Sequence, residues 1–433
     1  MITARYVREN LDAIRESLAR RKAEYPIDEI LKLDDDAKKI TQEAQQLRAT
    51  RNKGSLEVAE LKKAGKEVAE SKMSELAAVK NRIEEIEKQL PEYQNRIEFL
   101  LMNMPNILHE SVPYGKDDTE NVEIKKHGTE GPRKNIGHEE ALKKLGLLDT
   151  EKAAEVAGSR FYYLKGDLVM LEQSLIRFTL DRMIKKGYLP IAPPLMIKKK
   201  YYRGATALGD FEEVLYKVTD PKEAEGKGNL ERLDDELFLI STSEHAIAAM
   251  LANNTYSGSE LPLRFVGISP NFRREAGAHG KDTKGIFRVH QFYKVEQFVV
   301  SRPEDSWKIF EEMMGNAEEI FQALGLTYRV VNICTGDIGT VAAKKYDLEV
   351  YMPYSGKYRE LISCSNCTDW QSQRLDIRYD EHGERQYAYT LNSTASGSIE
   401  RAMVAIVENY LNDDGTITVP EVLVPYMGKD KIG

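Results

Sequence analysis

The stretch LAAVKNRIEEIEKQLPEYQNRIEFL (76–100) decides the first quarter of the fold. Leu76, Val79, Ile83, Ile86, Leu90, Tyr93, Ile97 and Leu100 recur at alternating steps of three and four. That is the a/d spacing of a coiled coil. A matching series, Leu33, Ala37, Ile40, Ala44 and Leu47, runs before it, and KKAGKE (62–67) lies between the two, with Gly65 as the breaker. Two facing stripes around one glycine predict an antiparallel hairpin over about 28–103, with arms 28–64 and 67–103. At ~1.5 Å per residue each arm spans on the order of 55 Å. Gly54 is expected to cost helix stability, ~1 kcal/mol. Pro91 is expected to kink the second helix, because it has no backbone N–H to donate.

Composition changes at the end of this hairpin. Residues 1–104 hold 2 of the 29 glycines, 2 of the 15 prolines and 4 of the 36 aromatics, so they are built from long helices with no compact core of their own. They carry 20 Lys+Arg against 20 Asp+Glu, and the net charge of −8 belongs wholly to the remainder. The neutral average conceals a polarity. Residues 28–36 hold five acids and one lysine, whereas 48–66 hold Arg48, Arg51, Lys53, Lys62, Lys63 and Lys66 against Glu57 and Glu60. A solvated charged face and a rod presenting positive charge to a polyanion both fit this pattern.

Several classes are excluded at this stage. No apolar run approaches the ~20 residues of a membrane span, and the opening MITARYVRENL has no apolar signal-peptide core. Three cysteines are no disulfide framework, so a reducing cytoplasm is the expected compartment. There is no GxxxxGK[ST] loop, no strand-borne GxGxxG and no HExxH. Cys364 and Cys367 form a CxxC with no second pair, too few ligands for structural zinc, and are expected to be packing residues.

After Pro105 the chain turns to glycines, aromatics and short alternating segments. Strands are expected at 262–268, 288–300, 346–352 and 385–392, and amphipathic helices at 167–186, 243–253, 304–324 and 399–411. The pattern predicts an α+β chain in which the arm precedes one antiparallel sheet flanked by helices. Charged residues recur in its apolar segments. Arg273 and Glu275 share a strand face in NFRREAG (271–277), and Phe292, Lys294 and Glu296 share one in FRVHQFYKVEQFVV (287–300). Glu360 lies in YRELISCSNC (358–367), and Arg401 opens a helix after TLNSTASGSIE (390–400). Buried charges must be paired or bound to a charged ligand, and arginines suit phosphate.

These segments resemble the three signature motifs of class II aminoacyl-tRNA synthetases, and specifically those of the seryl-tRNA synthetase family. KKGYLPIAPPLM (185–196) resembles motif one, a helix and strand usually in the dimer interface. FRRE (272–275) through AGAHGKDTKG to RVHQFYKVE (288–296) resembles motif two, and 390–410 resembles motif three. STSEH (241–245), MPNILHESVPYGKDDTENVEI (104–124) and GSRFYYLKGDL (158–168) resemble the serine-pocket segment, the connector after the arm and the opening of the catalytic domain. The likeness covers essentially the whole chain and divides it into a tRNA-binding domain at 1–104 and a catalytic domain at 105–433.

The resemblance implies a two-step ligase that activates L-serine with ATP and passes it to the 3′ end of tRNA(Ser), and of tRNA(Sec) where that exists. Arg273, Glu360 and Arg401 would be catalytic. Arg273 would hold the α-phosphate and the serine carboxylate, Arg401 the γ-phosphate, Phe292 the adenine face and Glu275 the adenine amino edge. Arg274, Val289, Leu361 and Ile362 would complete the ATP site, and Glu360 and Ser363 would coordinate Mg²⁺; no zinc is implied. Thr242, Ser243, Glu244, Arg273, Glu296, Asn392 and Thr394 would bind serine. Arg48, Arg51, Lys53, Lys62, Lys63 and Lys66 would meet the long variable arm of the tRNA, and Lys281 and Lys284 its acceptor end. His245 and His279 adjoin the site in sequence and are expected to be packing or loop residues. A cytoplasmic homodimer with no membrane association is implied.

Two spacings are unusual. Glu360 and Ser363 are three apart and would face opposite ways on a regular strand, so a bulge is expected near Ile362. Asn392 and Arg401 are nine steps apart, one more than the family pattern. The alternative reading is a synthetase paralogue that activates a small amino acid for a non-tRNA carrier. Such a protein would be expected to lack the arm.

Overall fold

A computed structural model describes residues 2–65, 67, 70–207, 214–219, 236–275 and 284–433. Lys66, His279 and Lys281 lie outside the described residues. The chain forms two compact units, Ile2–Met104 and Pro105–Gly433.

The first unit contains α1 (Ala4–Glu9), α2 (Leu11–Arg21), α3 (Ile27–Lys63) and α4 (Glu70–Asn103). Helices α3 and α4 pair along the two predicted stripes, burying Ala44 from one and Val79, Ile83, Ile86 and Leu100 from the other. Gly54 is the informative position. It is buried, and a Cβ there would lie 2.6 Å from Leu76 Cδ2. The expected helix penalty is thus accompanied by close packing, in which the end of the Leu76 side chain fills the space a Cβ would take. Pro91 does not break α4, which runs through it. The proline itself is exposed, while Ile86 and Leu100 on either side stay packed, so one lost backbone hydrogen bond remains a local defect.

Ion pairs register the hairpin. Arg82 reaches Glu43, Arg96 reaches Glu29 and Arg48 reaches Glu87, each at 2.7 Å, and Lys72 pairs with Glu57. The acids at the base are also engaged: Asp28 with Arg15, and Asp34 with Arg8 and Lys38. Arg51, Lys53, Lys62 and Lys63, near the tip, are exposed. Lys62 and Lys63 also sit in the last turn of α3, where positive charge complements the helix dipole.

The second unit is built on an eight-stranded sheet. Its strands are β1 (Val122–His127), β2 (Leu189–Ile191), β3 (Leu263–Phe272), β4 (Gln291–Ser301), β5 (Tyr328–Asn332), β6 (Lys344–Met352), β7 (Lys357–Thr368) and β8 (Tyr389–Ser398). Their spatial order is β1-β5-β6-β7-β8-β4-β3-β2. All neighbours are antiparallel except the edge pair β2–β3, which is parallel. Helices α6 (Asp167–Lys185), α8 (Ser306–Ala323) and α9 (Ile399–Tyr410) share one core with the sheet, in which Leu171, Phe310, Met313 and Ile406 meet Val295 and Leu391. Helix α5 (His138–Lys144) joins that core, and α7 (Ser243–Met250) packs on β3 and β4.

Two strand expectations are corrected. The 288–300 strand starts only at Gln291, because the His290 N–H turns to the Arg160 carbonyl and the Arg273 carbonyl is taken by the His290 ring, which ends the ladder with β3. The 385–392 segment is two strands. Glu384–Tyr387 pairs in a small separate sheet, Ala388 donates to the Ile377 carbonyl, and β8 begins at Tyr389.

Both unusual spacings are resolved by bulges. Between β6 and β7, Leu348 pairs with Ile362 but Glu349 pairs with Glu360, which leaves Leu361 as the extra residue. Between β4 and β8, Glu296 pairs with Thr394 and Lys294 with Ser398, so residues 395–397 face Val295 alone. Gly397 makes that second bulge at φ +85°, and a Cβ there would press on the Leu361 carbonyl at 3.0 Å. The two bulges therefore touch, and together they set the floor of the site.

Candidate active site

A cavity of about 560 Å³ is lined by residues from β4, β7, β8, the start of α7, the start of α9 and the 337–342 segment. The bulge at Leu361 turns Glu360 and Ser363 towards it together, and the wider bulge before Ser398 brings Arg401 to its wall. Arg273, Glu275, Val289, Phe292 and Leu361 line the same space, as do Thr242, Glu244, Glu296, Asn392 and Thr394. Three other candidates do not line the cavity. Ile362 is fully buried in the core behind the bulge, and Arg274 points to solvent. Ser243 packs under β3, where a Cβ on Gly267 would meet its Oγ at 2.5 Å.

One end of the cavity is built from cations. Arg273 lies over the Phe292 ring at 5.2 Å and donates to the Ser241 carbonyl. Arg401 donates from Nη1 to the Glu360 carbonyl at 2.9 Å and from Nε to the Phe287 carbonyl at 3.2 Å. Arg288 pairs with Glu275 at 2.8 Å. Partial desolvation would raise the Glu360 carboxyl, whose side chain is 45% exposed, but the fields of Arg401, Lys345, Arg273 and Arg288 outweigh it and hold it below its ordinary range. The result is an anionic side chain among arginines whose remaining hydrogen-bond capacity suits phosphate oxygens.

The other end is anionic and enclosed. Glu296 is 1% exposed and lies 2.7 Å from the Lys294 ammonium. Burial pushes its carboxyl up, and Lys294 opposes that shift. Thr242 caps α7, its side chain accepting from the Glu244 N–H. Glu244 Oε1 accepts from Gln371 at 2.7 Å and from Asn392 at 3.1 Å. Burial, then the neighbouring Glu296, pushes the Glu244 carboxyl up to about 7. His245 is buried beneath this end, near Tyr202 and Ser241. Burial, with Arg273 and Lys294 nearby, lowers it to about 3, so it is a neutral packing group. Buried Glu296 and half-buried Glu244, with Lys294 beside them, form a pocket that favours a small cation.

Sequence reasoning passed over several members of the site. Lys294 shares the strand face of Phe292 and Glu296, but a lysine on a strand face carries no motif that marks it. Arg288, Lys345 and the 337–342 segment also line the cavity. Gln371 comes from a short helix, Trp370–Leu375, that carries no motif. Asp347, opposite Ser363 across the β6–β7 ladder, is a buried carboxylate whose Oδ1 has no hydrogen-bond partner. Among the described residues no three His, Cys, Asp or Glu side chains cluster as a metal cage. Glu360 and Ser363 nevertheless offer hard oxygen donors on one face, which fits a Mg²⁺ that takes its other ligands from phosphate and water.

An antiparallel sheet with a bulged acid strand, an arginine just after β3 and a second arginine in the first turn of α9 together define a class II aminoacyl-tRNA synthetase core. The family described as tRNA synthetase class II core domain (G, H, P, S and T) matches residues 216–410, and the seryl-tRNA synthetase N-terminal domain matches residues 1–108. The serine–tRNA ligase of Methanocella arvoryzae is 48% identical, with 99% of each chain covered. The crystal structure of seryl-tRNA synthetase from Pyrococcus horikoshii, complexed with ATP, is 44% identical and superposes with a TM-score of 0.86 over 100% of this chain and 99% of that one. The cytoplasmic serine–tRNA ligase of Naegleria fowleri, in complex with AMP, is 37% identical with a TM-score of 0.82, covering 98% and 95%. The chain belongs to the seryl-tRNA synthetase family. Among the described residues no helix is long and apolar enough to cross a membrane.

Proposed function

We propose that this cavity activates L-serine with ATP and that the chain then transfers the seryl group to the 3′ end of tRNA(Ser). The observation that carries the reading is the polarity of one cavity, with arginines at one end and the carboxylates of buried Glu296 and half-buried Glu244 beside Thr242 at the other. Adenine stacks on Phe292 with its amino edge near Glu275, and Arg401 takes the γ-phosphate. Arg273 takes the α-phosphate and the serine carboxylate. Glu296 and Thr242 hold the serine ammonium, and Thr394, with Glu244 and Asn392 behind it, surrounds the side-chain hydroxyl. A site that hydrogen-bonds that hydroxyl rejects alanine, because its buried polar groups would be left unpaired. Glu360 and Ser363 would hold Mg²⁺, which supplies charge neutralisation between phosphates when bound.

The exposed Arg51, Lys53, Lys62 and Lys63 near the hairpin tip support an encounter with the variable arm of tRNA, alongside Arg48, which pairs with Glu87, and Lys66. Lys284 supports contact with the acceptor end. Leu189, Leu195 and Met196 in the motif-one segment, with Ile184 on α6, are exposed hydrophobics and support a homodimer through that face. The use of tRNA as substrate supports a cytoplasmic location. A pyrophosphate-exchange screen over the standard amino acids tests the reading: serine is expected to give the dominant signal, and exchange driven by another amino acid would overturn it.

A further inference from the structure

Lys294 lines the cavity at its anionic end, and nothing assigned so far uses it. Its side chain is 13% exposed. The ammonium lies 2.7 Å from Glu296 and donates to Thr242 Oγ1 at 3.3 Å. These are the two groups that the proposed function gives to the serine ammonium. The incoming ammonium would face that of Lys294 across one carboxylate and one hydroxyl, and their repulsion favours release of the Lys294 side chain, which can swing away.

The strand says where Lys294 goes. Phe292, Lys294 and Glu296 alternate along β4 and share one face, with ~6.7 Å between successive members. Adenine on Phe292 and the serine ammonium at Glu296 place the joint of the two substrates, the serine carboxylate and the α-phosphate, over Lys294. Arg273 reaches the same zone from the end of β3, over the Phe292 ring. The charge balance also closes. Serine arrives as a zwitterion, its ammonium replaces Lys294 on Glu296, and its carboxylate needs a cation that Lys294 can then supply. Every buried charge stays partnered through the exchange.

We propose that Lys294 is a catalytic residue of serine activation, released from Glu296 and Thr242 by the substrate ammonium to bridge the serine carboxylate and the α-phosphate. In that step a carboxylate oxygen bonds to the α-phosphorus while the bond to pyrophosphate breaks. The electron pair leaves with pyrophosphate, and no proton moves. The barrier includes repulsion between two anions, and an ammonium held between them lowers it without giving up a proton. The proposal rests on the serine-activation reading above.

The test is steady-state ATP–pyrophosphate exchange with serine on the full chain, comparing Lys294→Ala and Lys294→Arg with the unaltered protein. Lys294→Ala is expected to lower kcat by about a hundredfold while the ATP KM changes little, and Lys294→Arg is expected to recover most of the loss. If Lys294→Ala loses its cooperative thermal transition, Lys294→Gln, which fills the same space without charge, carries the same expectation. The proposal is overturned if kcat falls by less than about tenfold and the effect lies in the serine KM, since Lys294 would then only orient Glu296. Failure of the underlying reading looks different: the unaltered protein would show no serine-dependent exchange at all.

Discussion

In the arm, Arg82 and Arg96 reach glutamates across the hairpin at 2.7 Å, with every partner at least 39% exposed. In the catalytic unit, Lys294 reaches Glu296 at the same distance, but Glu296 is 1% exposed. Equal geometry has unequal consequences. Water screens the first pairs, which fix register at small energetic gain. The buried pair is poorly screened, so removing either member leaves a charge that must find another partner. Charge in the first unit thus sets geometry at the surface, whereas charge in the second is costly to leave unpaired.

The strongest way to break this contrast is Arg273→Ala. Its guanidinium lies where the carboxylate and α-phosphate meet in the proposed mechanism. The loss is expected to reduce serine-dependent exchange by about a thousandfold or more, with the fold retained by circular dichroism. Near-normal exchange would mean that the cation-rich end does not bind the reacting groups. Deleting residues 28–103 tests the other half. Exchange is expected to stay within a few-fold of the full chain, while tRNA charging falls by roughly a thousandfold as the exposed tip cations are lost. Efficient charging by the truncated chain would remove the arm from recognition.

Gly54→Ala sharpens the comparison within the arm. An alanine in mid-helix normally gains ~1 kcal/mol over glycine. Here its Cβ would sit 2.6 Å from Leu76 Cδ2, so overpacking is expected to outweigh the gain and destabilise the hairpin by ~1–2 kcal/mol. Thermal unfolding of Gly54→Ala, and of Gly54→Ala with Leu76→Ala, reads this directly. The double variant is expected to recover part of the loss, and a more stable single variant would show that the helices can part at no cost.

The hairpin was legible because its stripes are local: Val79, Ile83 and Ile86 declare their burial by spacing alone. The role of Gly54 was not, since it depends on Leu76 from the facing helix. In the catalytic unit the strand faces of Phe292, Lys294 and Glu296 followed from period two, and the need for a bulge followed from the step between Glu360 and Ser363. Its place at Leu361 did not, because register is set by the neighbouring strand β6. Gln371 was invisible for the same reason: it matters only through Glu244, a partner far along the chain.

The smallest expected effect concerns pH, and its sign follows from Glu244. Burial and the neighbouring Glu296 hold its carboxyl up to about 7 in the folded chain. The unfolded chain ionises it at the ordinary carboxylate value, so raising the pH from there through about 7 costs stability. Serine binding runs the other way. A substrate ammonium favours the ionised carboxylates, so binding releases protons and tightens as pH rises. The serine KM is therefore expected to rise by about threefold between pH 7.5 and 6, while the ATP KM, governed by the arginine end, stays flat. Glu244→Gln removes the titrating group but keeps an acceptor for Gln371 or Asn392. It is expected to weaken serine modestly and to flatten the dependence. A slope that survives in Glu244→Gln would shift the titration to Glu296. The pocket would then couple to pH through the same carboxylate that holds Lys294, and Lys294→Ala would steepen the slope.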